Sequence, residues 1–143
     1  MMKINKLAAA CVIGLFSVAS QAQSNWYNTS IVSAGTYTSS FASADVTNAG
    51  GKCTHILVNV TSTTGVAVVP HVEGKDQLTG DYYDILVGSP ISDADKTVLT
   101  VCQGGSNIKG QSTNDMLPYK YRIEFIFKGT GSVDMSVESN YNS

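Results

Sequence analysis

Over residues 119–128 the chain alternates with a period of two. Tyr119, Tyr121, Ile123, Phe125 and Phe127 fall on one side, and Lys120, Arg122, Glu124, Ile126 and Lys128 on the other. That is a strand with one buried face and one mostly wet face. Pro118 stands at its start, where no ladder N–H is needed. Gly129, Thr130 and Gly131 follow, and then Val133, Met135 and Val137 alternate with Ser132, Asp134, Ser136 and Glu138. The pattern predicts an antiparallel hairpin over 119–138 closed by a glycine loop. Upstream, residues 54–61 carry Ile56, Val58 and Val60 on one face, with Leu57 between His55 and Asn59 on the other. A Ser-Thr-Thr-Gly turn then leads into a second strand over 66–73. Residues 82–87 and 97–102 are shorter strands, and 29–37 and 42–47 are weaker ones. No helical stripe interrupts them.

About eight short strands separated by Gly-, Ser- and Asp-rich turns predict an all-β protein. The expected architecture is a single antiparallel β-sandwich with jelly-roll or immunoglobulin-like topology; an open barrel is the alternative. Residues 104–114 are glycine-rich and polar and are expected to form a long, mobile connection.

The N-terminus changes the compartment. Lys3 and Lys6 precede an apolar run over 7–18, and Ser20 and Ala22 supply small residues where a signal peptidase cuts. Residues 1–22 are expected to be a secretory signal peptide; the run is too short to span a bilayer. Cys11 lies inside that run, which continues through Val12, Ile13, Leu15 and Phe16, so cleavage rather than lipid attachment is expected. The mature chain over 23–143 then forms one domain, long enough for one core. It is secreted: to a periplasm, a cell surface or an extracellular particle. Cys53 and Cys102 remain after cleavage, and an even count in an exported chain predicts a disulfide.

Charge and motifs exclude several functions. The whole chain carries a formal net charge of −2, and loss of Lys3 and Lys6 makes it more negative. With no cluster of Lys and Arg, nucleic-acid binding and attachment to an anionic membrane are excluded, and nothing inserts in a membrane once the leader is removed. There is no Gly-x-Ser-x-Gly elbow and no spare cysteine, and His55 and His71 sit within strands with no nucleophile at a helpful spacing. Carboxylates gather as Glu73, Asp76, Asp81, Asp84, Asp93 and Asp95. A glycosidase needs two of them facing each other about 5–10 Å apart. Asp76 and Asp81 instead flank a turn over 75–81, where such residues cap backbone groups. The spacing matches no EF-hand, and no metal or other cofactor is expected. The residues most suited to contacting a partner are Trp26, Tyr27 and Tyr82, aromatic side chains next to polar positions.

The segment from Val72-Glu73-Gly74-Lys75-Asp76 through Leu78-Thr79-Gly80-Asp81-Tyr82-Tyr83-Asp84-Ile85-Leu86 carries a resemblance. It continues through Ile91, Thr97-Val98-Leu99, Val101, Asp115-Met116-Leu117-Pro118 and the strand around Ser132-Val133-Asp134-Met135-Ser136-Val137. Over residues 68–140 the chain resembles small all-β proteins encoded in tailed-phage and prophage structural regions. It departs from their pattern at Gln77, where they have Pro, at Tyr121, where they have Trp, and in its leader. The resemblance implies a virion-associated accessory module. The expected function is therefore a non-enzymatic exported module that builds or decorates an extracellular or virion-type assembly, with a protein partner or a second copy. A secreted ligand-binding module, with a glycan as ligand, is the alternative, and a small hydrolase using the acids of 73–95 is the third reading.

Overall fold

The computed structural model describes the backbone of residues 26–142 and the side chains of residues 28–140. The expected leader over 1–22, with Cys11 in it, lies outside the described residues. Among the described residues every regular element is a strand, and no helix is long and apolar enough to cross a membrane. The strands are β1 (Trp26–Tyr37), β2 (Phe41–Ala42), β3 (Val46–Thr47), β4 (Cys53–Lys75), β5 (Tyr82–Val87), β6 (Asp95–Cys102), β7 (Ser112–Thr113) and β8 (Lys120–Asn142). All belong to one 8-stranded sheet in the order β1-β8-β4-β6-β7, with β2 and β3 also on β8 and β5 also on β4.

Two of the turns expected from the sequence are not turns. β4 continues through Ser62, Thr63, Thr64 and Gly65, and β8 continues through Gly129, Thr130 and Gly131, each for 23 residues. The hairpin expected over 119–138 does not form. Instead β8 pairs antiparallel with β4 along its whole length, from Cys53↔Asn142 to Gly74↔Tyr121. β1, β2 and β3 follow the other side of β8 from Trp26↔Asn142 to Thr47↔Lys120. β5, Ile91 and β6 follow the far side of β4 from Lys75↔Tyr82 through Val68↔Ile91 to Cys53↔Cys102. Pro70 is tolerated in this central strand because its missing N–H faces the gap between β5 and β6, where its carbonyl accepts from the Gly88 N–H.

The sheet is doubled over on itself. Tyr121 and Ser139 lie 18 positions apart on the same strand, yet their hydroxyls are 2.9 Å from each other. A straight strand would separate them by about 60 Å at roughly 3.3 Å per residue. Likewise residues 48–52 alone link β3 at one end of the sheet to β4 at the other. The fold line falls where glycines meet: Gly65 has φ +69° and Gly129 has φ +113°. A Cβ on Gly65 would stand 2.8 Å from the Thr130 carbonyl oxygen, and one on Gly131 would stand 1.7 Å from that of Thr64. The two backbones cross at a distance that only glycine permits.

Folding over brings the inner faces together into one apolar cluster. Ile56, Val58, Val60, Leu99, Val101, Val133, Met135 and Val137 from one half pack on Val68, Val72, Leu86, Tyr121, Ile123 and Phe125 from the other. The core assignment of the alternating strand holds for Tyr121, Ile123 and Phe125, while Phe127 is only partly buried. Tyr119, expected on the same face, is 58 % exposed, because the strand begins at Lys120, after the residue turns out of the sheet. Phe41 stacks between Tyr37 and Phe125 at 4.2 and 5.1 Å and plugs one side. At the open end the fully buried Ser139 hydroxyl joins Tyr121 to Thr54 at 2.7 Å.

The Cys53–Cys102 disulfide joins directly opposed residues of β4 and β6, with a sequence separation of 49. A loop of that length contributes roughly 4 kcal/mol through the unfolded chain. The segment expected to be a mobile connection is instead tied down: Thr100 N–H donates to the Gln111 carbonyl, β7 pairs parallel with β6, and the Asn107 and Asn114 side chains accept from backbone N–H groups.

Replacing Gly131 by Ala is expected to destabilise the protein by about 3 kcal/mol or more, because β4 and β8 must part at the fold line. Gly35→Ala, whose Cβ would meet nothing nearer than 3.8 Å, is expected to change stability by less than about 0.5 kcal/mol. Urea melts of the two variants check this; equal costs would mean that the crossing does not limit the fold.

Candidate functional site

The outer face of the half built from β3, β5 and the ends of β4 and β8 carries a linked set of charges. Register sets it: Glu73 lies opposite Arg122 on one side and Asp84 on the other. Arg122 Nε donates to Glu73 Oε2 at 2.6 Å, and its guanidinium sits 3.5 Å over the Tyr82 ring. The Tyr82 hydroxyl donates to Asp45 Oδ1 at 2.6 Å, and Lys75 Nζ donates to Asp45 Oδ2 at 2.8 Å. Glu73 keeps only 8 % of its surface, and Arg122 is its ion-pair partner. The Lys75 ammonium, aided by the Tyr82 hydroxyl, holds the Asp45 carboxyl below the usual carboxylate range, and Asp45 in turn raises Lys75. This cluster fastens β3, β4, β5 and β8 together. Tyr82 is thereby engaged at both its ring and its hydroxyl, and neither it nor Tyr83, which is 51 % exposed over Gly74, enters the core.

Several of the remaining acids and both histidines are also engaged. Asp76 Oδ1 accepts from the Leu78 and Thr79 N–H groups, the capping expected of that turn, and these bonds, Thr79's first, lower its pKa. Asp134 sits beside the fold line and accepts from Ser62 on β4 and Thr36 on β1; these two hydroxyls, in that order, lower its pKa. Asp93 and Asp95 accept from Ser92 and Thr97. His71 Nδ1 lies 2.9 Å from Asp84, and His55 Nδ1 lies 3.3 Å from the Thr100 hydroxyl. Among the described residues no three His, Cys, Asp or Glu gather as a metal would require.

The other half presents a different surface. β1 is the edge of the sheet: among the described residues no further strand pairs with its outer side, and Thr29, Ser30 and Ile31 share a cleft of about 230 Å³ with residues 44–47. Its register with β8 is regular from Trp26↔Asn142 to Ser30↔Glu138 and then breaks twice, at Ser30/Val32 and Val32/Gly35. Trp26 and Tyr27 therefore belong to the first strand of the chain's own sheet rather than to a separate arm; their side chains lie outside the described part. Asn28, Thr29 and Ser30 are exposed. Across the outer face, Asn28, Asn140, His55 and Thr100 form one row over β1, β8, β4 and β6. Leu57 and Val98 lie beside it, and with Asn28, His55 and Asn140 they line an open groove of about 360 Å³. Asn140 Oδ1 is buried there without a hydrogen-bond partner among the described residues.

Sequence reading located Tyr82 and the acids but not Asp45, Arg122, Asn28 or Asn140 as members of these sites. Alternation put Arg122 on the wet face, but only the register with β4 chooses Glu73 as its partner. Compared with known protein families, with characterised proteins and with solved structures, the chain matches none.

The lowered carboxyls fix an acid response. Asp45, Asp76 and Asp134 titrate below their unfolded values, so the unfolded chain takes up more protons as the pH falls. Their contribution is complete above the ordinary carboxylate value of about 3.9 and is lost as the pH drops through the folded values. The melting temperature is expected to fall below about pH 4, and Asp134→Asn to flatten that fall while lowering stability at pH 7. Thermal melts from pH 7 to pH 2 check it; an unchanged acid slope in the variant would refute the role of Asp134.

Proposed function

We propose that this chain is an exported, non-enzymatic structural module that joins an extracellular or virion-type assembly through the free edge of β1. The observation that carries the proposal is that edge: a strand of 12 residues, with no Lys, Arg, Asp or Glu and with no strand on its free side among the described residues. Natural sheet edges are commonly guarded by charge, and an unguarded edge is a ready template for strand addition. Of the acids over 73–95, Glu73 is held by Arg122, Asp84 by His71, Asp76 by its own turn, and Asp93 and Asp95 by the Ser92 and Thr97 hydroxyls. That weighs against catalysis.

The disulfide suits an oxidising compartment of the kind the leader implies. The doubled sheet is a sandwich of jelly-roll type in our reading, in keeping with the resemblance to phage structural-region proteins. One observation favours a second reading: the groove of Asn28, His55, Leu57, Val98 and Asn140 sets two side-chain amides beside an aliphatic floor, a combination suited to a glycan.

The purified exported protein is expected to associate on concentration, as read by light scattering and negative-stain microscopy. Lysines at two exposed β1 positions, Ser30→Lys with Ser33→Lys, are expected to abolish association and leave the melting temperature nearly unchanged. Association that survives both lysines refutes the edge reading. Saturable glycan binding by a strictly monomeric chain would favour the second one.

A further inference from the structure

We propose that the groove beside the fold line, on the outer face of β1, β8 and β4, binds a neutral saccharide, with Asp134 accepting from the sugar hydroxyls and Asn59 as the second anchor. The site is separate from the edge of β1 and from the groove of Asn28 and Asn140, and it does not depend on either reading above. Three observations carry it.

The first is how the groove arises. Asp134 and Ser136 alternate along β8 with the buried Val133, Met135 and Val137, so they face outward. Asn59 stands opposite Ser136 on β4, between the buried Val58 and Val60. The ladders on both sides of β8 slip here: β1 at Ser30/Val32 and Val32/Gly35, β4 at Val60/Ser62. The slips set Gly35 opposite Met135 and Thr36 opposite Asp134. With residues as small as Ala34 and Gly35 on the β1 side, an open groove of about 470 Å³ remains. Bulges re-aim side chains and are over-represented beside functional sites.

The second is Gly35 itself. Its φ lies outside the left-handed region, and a Cβ there would meet nothing nearer than the Tyr37 ring at 3.8 Å. Neither backbone conformation nor packing within the chain calls for glycine at this position, although glycine weakens a strand interior. An unobstructed backbone facing open space is what a closely approaching ligand requires.

The third is the chemistry of the lining. Asp134 accepts from the Ser62 hydroxyl at 2.7 Å on one oxygen and from the Thr36 hydroxyl on the other. A carboxylate has about four lone-pair sites. Two therefore remain for a ligand, on a group whose orientation the two hydroxyls already fix. None of the ion pairs among the described residues involves Asp134, and no Lys, Arg or His lines the groove. The Asn59 amide adds a donor and an acceptor, and Thr36 and Ser136 add hydroxyls. Adjacent hydroxyls of a sugar donate to a carboxylate and exchange hydrogen bonds with an amide; a phosphate, sulfate or uronate meets the Asp134 charge with its own and is repelled.

Saturation-transfer NMR and calorimetry on the full exported protein test the site, with the methyl pyranosides of glucose, galactose, mannose and N-acetylglucosamine as probes. At least one is expected to bind saturably with a dissociation constant on the order of 1 mM, as suits one sugar ring in an open groove. Gly35→Leu fills the groove and leaves the Asp134 hydrogen bonds in place. It is expected to weaken binding at least tenfold with little change in melting temperature. Asn59→Ala is expected to weaken binding several-fold, and Asn28→Ala to leave it unchanged. Glucuronate is expected to bind at least tenfold more weakly than glucose. Absence of saturable binding by all four glycosides to the folded protein overturns the proposal, as does binding that survives Gly35→Leu. Loss in Asn28→Ala with retention in Gly35→Leu overturns it too and moves the glycan to the groove of the second reading. Glucuronate bound as tightly as glucose overturns the role of Asp134. None of these outcomes bears on association through β1, which the paired lysines test by themselves.

Discussion

The close crossing of β4 and β8 at Gly65, Gly129 and Gly131 is the constraint on which everything else depends. Two strands of 23 residues each would otherwise form a flat ribbon with a fully exposed apolar face. A side chain on either strand at the crossing would hold the backbones apart, and the carbonyls of Thr64 and Thr130 already occupy the space. Glycine lets the ribbon crease, and the crease brings distant parts of one sheet face together. The apolar cluster is a consequence: its residues come from both sides of the fold line and none could be buried without it.

A creased sheet needs a fastening at its free end, and the molecule supplies one of each kind. Hydroxyls fasten the interior, where Ser139 links Tyr121 to Thr54. Cysteines fasten the end of β6 to the start of β4. The Asn48 amide donates to the Gly51 and Leu117 carbonyls and ties the connection over 48–52 to the segment that leads into β8. These devices share a logic: each joins positions that are far apart in sequence and become neighbours only when the sheet closes. Hydrogen bonds of this sort contribute individually about 1 kcal/mol, but leaving any partner buried alone costs more.

The two outer faces then divide the labour. The half with Asp45, Glu73, Lys75, Tyr82 and Arg122 spends its charge internally, locking four strands. The half with Asn28, Asn140, His55 and Thr100 has no Lys, Arg, Asp or Glu along that row, and among the described residues no strand pairs with the outer side of its edge. A charged edge would protect the chain from association; a neutral one invites it.

Period-two alternation determined the fold class and the facing of individual residues. Ile56, Val58, Val60, Ile123, Phe125, Val133, Met135 and Val137 are buried, as their spacing dictates, because successive side chains of any strand point to opposite faces. The expected leader and the even cysteine count left after it foretold the pairing of Cys53 with Cys102, and turn chemistry foretold the capping by Asp76. What alternation could not decide is the meaning of a glycine between two alternating runs. Gly129-Thr130-Gly131 has the composition of a hairpin loop, and in isolation nothing distinguishes a reversal within the sheet from a crease across it. The neighbouring strand decides: β8 is held by β4 on one side and by β1, β2 and β3 on the other, so it cannot turn back and must bend out of plane. Register decides the sites in the same way. Arg122 meets Glu73, and Asn28 meets Asn140, only because strands distant in sequence align residue for residue, and that alignment is a property of the closed sheet rather than of any segment of the chain.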